Sequence, residues 1–132
     1  MLNVKTIDHV TFVVKDLDRS RAFYVDLLGM KDIARPAFDF GGSWFQAGPT
    51  LVHLILEHDK SGPAGIFKPE SFQSSRTHHV AFQVEDCPKA FEIVRQHPGA
   101  KVAHSLKQRP DGAWQFFLED PDGHVIELTS GP

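Results

Sequence analysis

Three histidines and one glutamate are the residues of this sequence whose types and positions suit chemistry. His9, His53 and His79 each lie inside an apolar segment that is typical of a β-strand, and so does Glu127. A buried imidazole or carboxylate without a partner is costly. Each therefore needs a hydrogen bond, an ion pair or a metal ion. A core histidine bonded to a carbonyl oxygen, and a salt bridge for Glu127, are the simpler alternatives.

The sequence nearly repeats itself with an offset of 70 residues. Residues 9–16 (HVTFVVKD) read against residues 79–86 (HVAFQVED), and the same offset carries Gly29 onto Gly99. A chain with two similar halves builds two similar modules, and equivalent residues then face each other across a pseudo-axis. The repeat therefore predicts that His9 and His79 meet.

The last strand of each half extends this match. The pattern LVHLI at 51–55 places His53 where the pattern VIELT at 125–129 places Glu127. Convergence of the four residues would create a metal site, with ligands His9, His53, His79 and Glu127. Two or three histidines with one carboxylate suit one divalent ion per site, namely Zn²⁺, Ni²⁺, Co²⁺, Mn²⁺ or Fe²⁺.

Composition excludes several classes of partner. The chain has 132 residues, and its formal net charge of −3 offers no broad basic surface for nucleic acid or an anionic membrane. No apolar stretch approaches the roughly 20 residues of a membrane span. The single cysteine, Cys87, fits a reducing compartment, so we expect a cytoplasmic protein.

The elements that must position these residues form a β-α-β-β-β unit used twice. Alternation in the first strand puts His9 and Thr11 on one face, and the opposite face should pack under a helix. Asp18 is the candidate N-cap of that helix, and Gly29 is its stop. Three short strands should follow each helix, at 33–38, 43–47 and 51–57 and at 101–106, 113–119 and 124–129.

These units predict an α+β protein with one domain over residues 1–132. Module 1 spans about 5–57, a polar connecting loop spans 58–76, and module 2 spans about 77–130. A loop of that length is either a binding loop or a plain linker.

Four motifs carry a resemblance over essentially the whole chain. They are IDHV at 7–10, FYVDLLGM at 23–30, THHVAF at 77–82 and FLEDPDGHVIEL at 117–128. Together they resemble the vicinal oxygen chelate superfamily. Its members include glyoxalase I, fosfomycin-resistance thiol transferases, bleomycin-binding proteins, methylmalonyl-CoA epimerase and extradiol ring-cleaving dioxygenases.

The resemblance implies two paired βαβββ modules that form a cupped, open barrel around one divalent metal. It also implies a homodimer, and many members complete each site with residues from both chains. By position, His9, His79 and Glu127 match the family's ligands. His53 stands where glyoxalase I has a glutamate that helps to shuttle a substrate proton, and imidazole alters both charge and basicity there.

The function that the resemblance implies is a metal-dependent enzyme. Such an enzyme chelates adjacent oxygens of a small substrate and stabilises an oxyanion or enediolate, as a lyase, isomerase, epimerase or thiol transferase. Two alternatives stay open. The set His9, His79 and Glu127 equals the triad of Fe²⁺ extradiol dioxygenases, and a bleomycin-type protein would bind a small molecule without catalysis.

Residues around the four ligands complete the predicted site. Glu127 and His53 are the expected catalytic residues. Trp44 and Trp114 are interpreted as matching positions in the third strands of the two halves, where they would line an apolar wall. The expected substrate-binding residues are Thr11, Gln83, Trp44, Trp114, Arg109 and Lys107.

Overall fold

The computed structural model describes residues 1–132, and each half of the chain forms a compact unit. The first unit is Met1–Gly65 and the second is Ile66–Pro132. The boundary between them falls inside the predicted connecting loop. Each unit contains one four-stranded sheet and a helix, so the predicted α+β class is confirmed. No helix has the length and apolar character needed to cross a membrane.

The first unit contains four strands and one helix that continues as a π-helical segment. The elements are β1 (His9–Val14), α1 (Leu17–Arg21) with its π-helical continuation (Ala22–Leu27), β2 (Lys31–Ile33), β3 (Gly42–Ala47) and β4 (Thr50–Leu56). The strand order is β1-β4-β3-β2. β1 runs parallel to β4 and the other pairs are antiparallel.

The second unit has the same arrangement. After a short 3₁₀ turn (Ser74–Arg76) come β5 (Val80–Gln83), α2 (Cys87–Arg95), β6 (Lys101–Gln108), β7 (Trp114–Glu119) and β8 (Val125–Ser130). The order β5-β8-β7-β6, with β5 parallel to β8, repeats the first sheet strand for strand. The predicted βαβββ repeat is therefore confirmed.

Both helices begin at equivalent aspartates. Asp16 accepts the backbone N–H of Arg19 at 2.9 Å, and Asp86 accepts that of Lys89 at 3.0 Å. The prediction that Asp18 caps α1 was wrong, because Asp16 is the extended residue directly before the first helical residue. The capping aspartates thus keep the 70-residue offset and carry the repeat into the helix starts.

The predicted glycine stops are confirmed, whereas the predicted second strand is too long. Gly29 and Gly99 both take the left-handed conformation, with φ of 79° and 83°, as helix-terminating glycines do. β2, in contrast, ends at Ile33 instead of continuing to residue 38. Pro36 lacks the N–H that a sheet ladder needs, so residues 34–41 leave the sheet before β3 begins.

One face of each sheet packs on its helix. In the first unit the fully buried Tyr24 stacks on Phe45 with ring centroids 6.1 Å apart. In the second unit the buried Phe116 contacts Phe91 of α2 at 5.2 Å. Side chains alternate along a strand, so the histidines lie on the faces that the helices leave uncovered.

Candidate functional site

His53 lies at the centre of a ring stack in the first unit. β4 places it opposite Thr11 of β1 on one side and opposite Trp44 of β3 on the other. The rings of His9 and His53 are stacked at 3.9 Å, and those of His53 and Trp44 at 4.1 Å with an interplanar angle of 1°. The imidazole of His53 thus lies between the rings of His9 and Trp44, and this packing sets its orientation.

The Nε2 atom of His53 is buried and has no hydrogen-bond partner. Burial lowers the pKa of His53 below its ordinary value, and the neighbouring His9 lowers it further. The imidazole is therefore held neutral, which is the form that binds metals. Buried side-chain nitrogens nearly always have a partner, and a bound ion would be the partner of Nε2.

The hydrogen bond of His9 is made by Nδ1, which leaves Nε2 as the nitrogen that could bind a ligand. His9 Nδ1 lies 2.8 Å from the carboxylate of Asp8, so Nδ1 carries the proton and donates it. Nε2 then keeps its lone pair. A carboxylate that orients a histidine in this way is a common partner of metal-binding imidazoles.

His79 faces two acceptors at once in the second unit. Its Nδ1 lies 2.8 Å from the carbonyl oxygen of Thr77, and its Nε2 lies 3.1 Å from Oε1 of Glu127. A neutral imidazole has a single N–H, so it satisfies one acceptor and leaves the other facing a lone pair. A second proton on the ring, or a cation beside Nε2 and Oε1, satisfies both.

Glu127 occupies the same register position as His53. It lies opposite Ala81 of β5 and Phe117 of β7, as His53 lies opposite Thr11 and Trp44. Its side chain is 8% exposed. A buried carboxylate at this position needs compensation.

The salt-bridge alternative for Glu127 is weakly supported. Arg109 Nη1 is 3.9 Å from Oε2 of Glu127, whereas Arg109 Nε and Nη2 contact both carboxylate oxygens of Asp111 at 3.1 and 2.6 Å. Asp111 is therefore the main partner of this guanidinium and raises its pKa. Much of the negative charge of Glu127 is left for another partner.

The interpretation of Trp44 and Trp114 as equivalent residues was wrong. Trp114 pairs with Ser130 at the far end of β8, three positions before Phe117, so alternation turns its side chain to the helix-covered face. It lines a surface groove with residues at the start of α2. The equivalent of Trp44 is Phe117, whose ring contacts that of His79 at 5.3 Å.

The other predicted substrate-binding residues lie on the uncovered faces. Thr11 is opposite His53, and Gln83 is opposite Thr129. Lys107 is opposite Gln115, two residues before Phe117, and is exposed. These positions agree with the expectation of shared faces, while contact with a substrate stays a prediction.

Sequence reasoning missed a buried polar pair in the turn before β8. His124 Nδ1 lies 2.7 Å from Asp120 Oδ2, and Asp120 Oδ1 accepts the backbone N–H groups of His124 and Asp122 at 2.8 and 3.0 Å. The spacing of four residues within DPDGH was the available signal. The pair fixes the turn from which β8 carries Glu127.

The four candidate donors form two pairs, one in each unit. His9 and His53 form the first, and His79 and Glu127 form the second. Among residues 1–132, no group of three or more histidine, cysteine, aspartate or glutamate side chains is arranged to hold a metal ion.

Comparisons with known proteins agree on one family. The lactoylglutathione lyase of Salmonella typhimurium is 29% identical over 124 residues, which cover 91% of this chain and 88% of that protein. A solved structure of a glyoxalase family protein from Bacillus anthracis has a TM-score of 0.77 and 28% identity, with complete coverage of both chains. The fosfomycin resistance protein FosX of Listeria monocytogenes shares the fold, with a TM-score of 0.71 at 18% identity, over 98% of this chain and 95% of that one.

The family model for the Glyoxalase/Bleomycin resistance protein/Dioxygenase superfamily matches residues 6–128. The match spans nearly all of both units and contains the four candidate ligands. This chain therefore belongs to the Glyoxalase/Bleomycin resistance protein/Dioxygenase superfamily.

Proposed function

We propose that this protein is a divalent-metal-dependent, glyoxalase-like enzyme of the lyase, isomerase, epimerase or thiol transferase type, acting on a small molecule with two adjacent oxygens. One observation carries the proposal: each candidate ligand pair contains an unmet requirement. His53 Nε2 is buried without a partner, and His79 faces two acceptors with one N–H to give when neutral. A bound cation would meet both requirements at once.

The donor set fits such an ion. We infer that His9, His53, His79 and Glu127 are its ligands. Neutral imidazole nitrogens and one carboxylate suit Zn²⁺, Ni²⁺, Co²⁺, Mn²⁺ or Fe²⁺. Since the set contains a single carboxylate, an ion held by these residues would keep positive charge and would supply Lewis acidity toward substrate oxygens.

The two catalytic residues of the set have different roles. The lowered pKa keeps His53 neutral, and the one lone pair of its Nε2 would hold the ion, so we infer that His53 serves catalysis as a ligand. Oε2 of Glu127 is 3.9 Å from Nη1 of Arg109. We infer that this oxygen accepts and returns a substrate proton, while the rings of Trp44 and Phe117 exclude water beside the site.

The named relatives support this class of reaction. The Salmonella typhimurium relative is a lactoylglutathione lyase, so a lyase acting on a related thioester or carbonyl compound is the first activity to test. We also infer a homodimer, the assembly implied by the family resemblance. Sedimentation equilibrium at twice the mass of the chain tests it.

Activity with and without metal tests the proposal. The protein is stripped with chelator, and formation and breakdown of lactoylglutathione and of simpler 2-oxo and 2-hydroxy thioesters are followed by thioester absorbance. We expect turnover to appear when one of the five ions is returned and to vanish again with chelator. Turnover that is indifferent to chelator and to every added ion would contradict the proposal.

A further inference from the structure

A guanidinium is fixed beside the ring stack of the first unit. Arg35 lies in the segment that leaves the sheet after β2, and its Cζ is 4.9 Å from the ring centre of Phe38 and 5.1 Å from that of Phe40. Its Nη2 donates to the carbonyl oxygen of Phe40 at 2.8 Å. Two cation–π contacts and one hydrogen bond therefore hold a long side chain in a single geometry.

The charge of Arg35 is not neutralised within the chain. The side chain is half-buried, it forms no ion pair, and its Nε is buried without an acceptor. Arginine side chains are usually solvated or paired with a carboxylate. A half-buried guanidinium that is held in place and lacks an anion has the features of a recognition site.

Gly42 makes room for this arrangement. A Cβ at that position would lie 2.9 Å from Nη2 and 3.0 Å from Nε of Arg35, and 2.3 Å from the carbonyl oxygen of Leu54. The close approach to Leu54 alone excludes a side chain. The sequence therefore keeps space for the guanidinium against the backbone at the start of β3.

Ring contacts connect Arg35 to the candidate site. Phe38, which is 46% exposed, contacts Trp44 at 6.2 Å, and Trp44 stacks on His53. The rings of Phe38 and Trp44 therefore connect the guanidinium to the imidazole of His53.

We propose that Arg35 is the anion-recognition residue of this site, and that the substrate is an organic acid. Its carboxylate, or another compact oxyanion such as a phosphonate, docks on Nη1, the guanidinium nitrogen that is neither buried nor bonded to Phe40, and its carbon skeleton packs against Phe38. This inference rests on the proposed function for the reaction that follows binding. Binding of the acid itself requires only the first unit's residues.

Charge selectivity in chelator-treated protein tests the proposal. The probes are benzoate, phenylphosphonate and the neutral benzamide, and the measurement is isothermal titration calorimetry. We expect the wild-type protein to bind an anionic probe about tenfold or more tighter than benzamide, as a charge-assisted hydrogen bond allows. Preference for benzoate assigns a carboxylate, and preference for phenylphosphonate assigns a phosphonate.

Variants identify the residue responsible. R35Q should lose the preference, R35K should keep part of it as a point charge without the planar fork, and R95Q should keep it entirely. Arg95 is the matched control because it is an exposed arginine of α2 that pairs with Glu92. Equal binding of all three probes to wild-type protein, or an unchanged preference in folded R35Q, would overturn the proposal.

A metal titration of the same variants separates this inference from the proposed function. We expect R35Q to bind metal as the wild-type protein does. Acid selectivity without any metal binding would remove the proposed function and leave the anion site. Metal binding without acid selectivity would remove the anion site and leave the proposed function.

Discussion

The two units present different chemistry at the same position of the same sheet. In the first unit β4 lies between β1 and β3, and in the second β8 lies between β5 and β7. Each of these central strands carries a candidate ligand opposite an aromatic residue of β3 or β7. In the first unit that ligand is His53, a neutral imidazole between two rings. In the second it is Glu127, a carboxylate 3.1 Å from His79 and 3.9 Å from Arg109.

The difference shows what the repeat determines and what it leaves open. Strand order and register fix where a side chain lies, and these are the same in both units. Residue type fixes charge, and here the first unit supplies neutral nitrogen and the second supplies the negative oxygen. The surroundings differ as well. The first unit adds the ring of Trp44 and the unpaired guanidinium of Arg35, whereas the second adds the ring of Phe117 and the ion pair of Arg109 with Asp111.

Removing the carboxylate gives the largest expected effect. Glu127→Gln keeps the shape of the side chain and its burial but loses the charge that complements a divalent ion. We expect metal affinity to fall by about 100-fold or more, as loss of a ligand exceeds the loss of an outer partner. Calorimetric titration of chelator-treated protein with Zn²⁺ or Ni²⁺ measures it.

Glu119→Gln is the matched control for that change. Glu119 is also a little-exposed carboxylate of the second unit, with side-chain exposure of 10%, and it pairs with Lys68 and Lys101. This variant should lose stability and bind metal normally. If both variants bound metal alike, Glu127 would be a structural carboxylate.

Placing the same residue type at the equivalent position of both units separates the effect of residue type from the effect of position. His53→Glu puts a carboxylate at the register position in both units, whereas His53→Ala removes the donor. We expect His53→Glu to keep metal binding within about tenfold and to favour Mn²⁺ relative to Zn²⁺, because oxygen ligands are harder than imidazole.

His53→Ala should bind all ions more weakly than His53→Glu. The metal-free His53→Glu protein should also be less stable by about 1–3 kcal/mol, since the carboxylate would lie between two rings without a donor. Thermal unfolding measures this. Equal affinities of the alanine and glutamate variants would show that His53 is no ligand.

Substitutions of Trp44 and Trp114 distinguish the uncovered face of a sheet from the face that packs on a helix. Trp44→Leu removes a ring stacked on His53, and we expect a loss of about 1–3 kcal/mol in unfolding free energy and a weaker metal affinity by less than tenfold. Trp114→Leu should cost stability on the same scale and leave metal affinity unchanged, because Trp114 faces α2. Metal affinity that depends on Trp114 would contradict the register described for β7.

The smallest effect concerns Cys87, which stands where the first unit has Leu17. Burial, and then the negative charge of Glu127, raise the pKa of its thiol from 9.0 to about 11. A raised pKa keeps the folded thiol neutral while the unfolded thiol ionises, so its contribution to stability is lost as pH rises above about 9. At pH 8, iodoacetamide should label native protein roughly 100-fold more slowly than unfolded protein, and comparable rates would show an accessible thiolate.

Much of the fold was predictable because an ungapped repeat carries register with it. His9 and His79 mark equivalent strands, and the apolar patterns around His53 and Glu127 mark the strands that pair with them. The capping aspartate was mistaken by two residues because Asp16 and Asp18 both stand at the start of α1, and only the extended backbone of Asp16 distinguishes it.

Other features of the site depend on contacts that no local pattern records. Trp114 looked equivalent to Trp44 by residue type, but its face depends on the register between β7 and β8. The environment of Arg35 depends on a turn that brings Phe38 and Phe40 over its guanidinium and on the absence of a side chain at Gly42. The pairing of Asp120 with His124 likewise follows from a turn geometry.

Metal content shows whether this protein holds the proposed ion. The protein is purified without chelator or nickel resin and analysed for transition elements, and wild-type and Glu127→Gln proteins are compared. We predict close to one divalent ion per site in the wild-type protein and little in the variant, with Fe²⁺ directing further work to ring cleavage and the other ions to lyase, isomerase and transfer assays. A wild-type protein that carries no metal and takes up none on titration would contradict the proposed metal site.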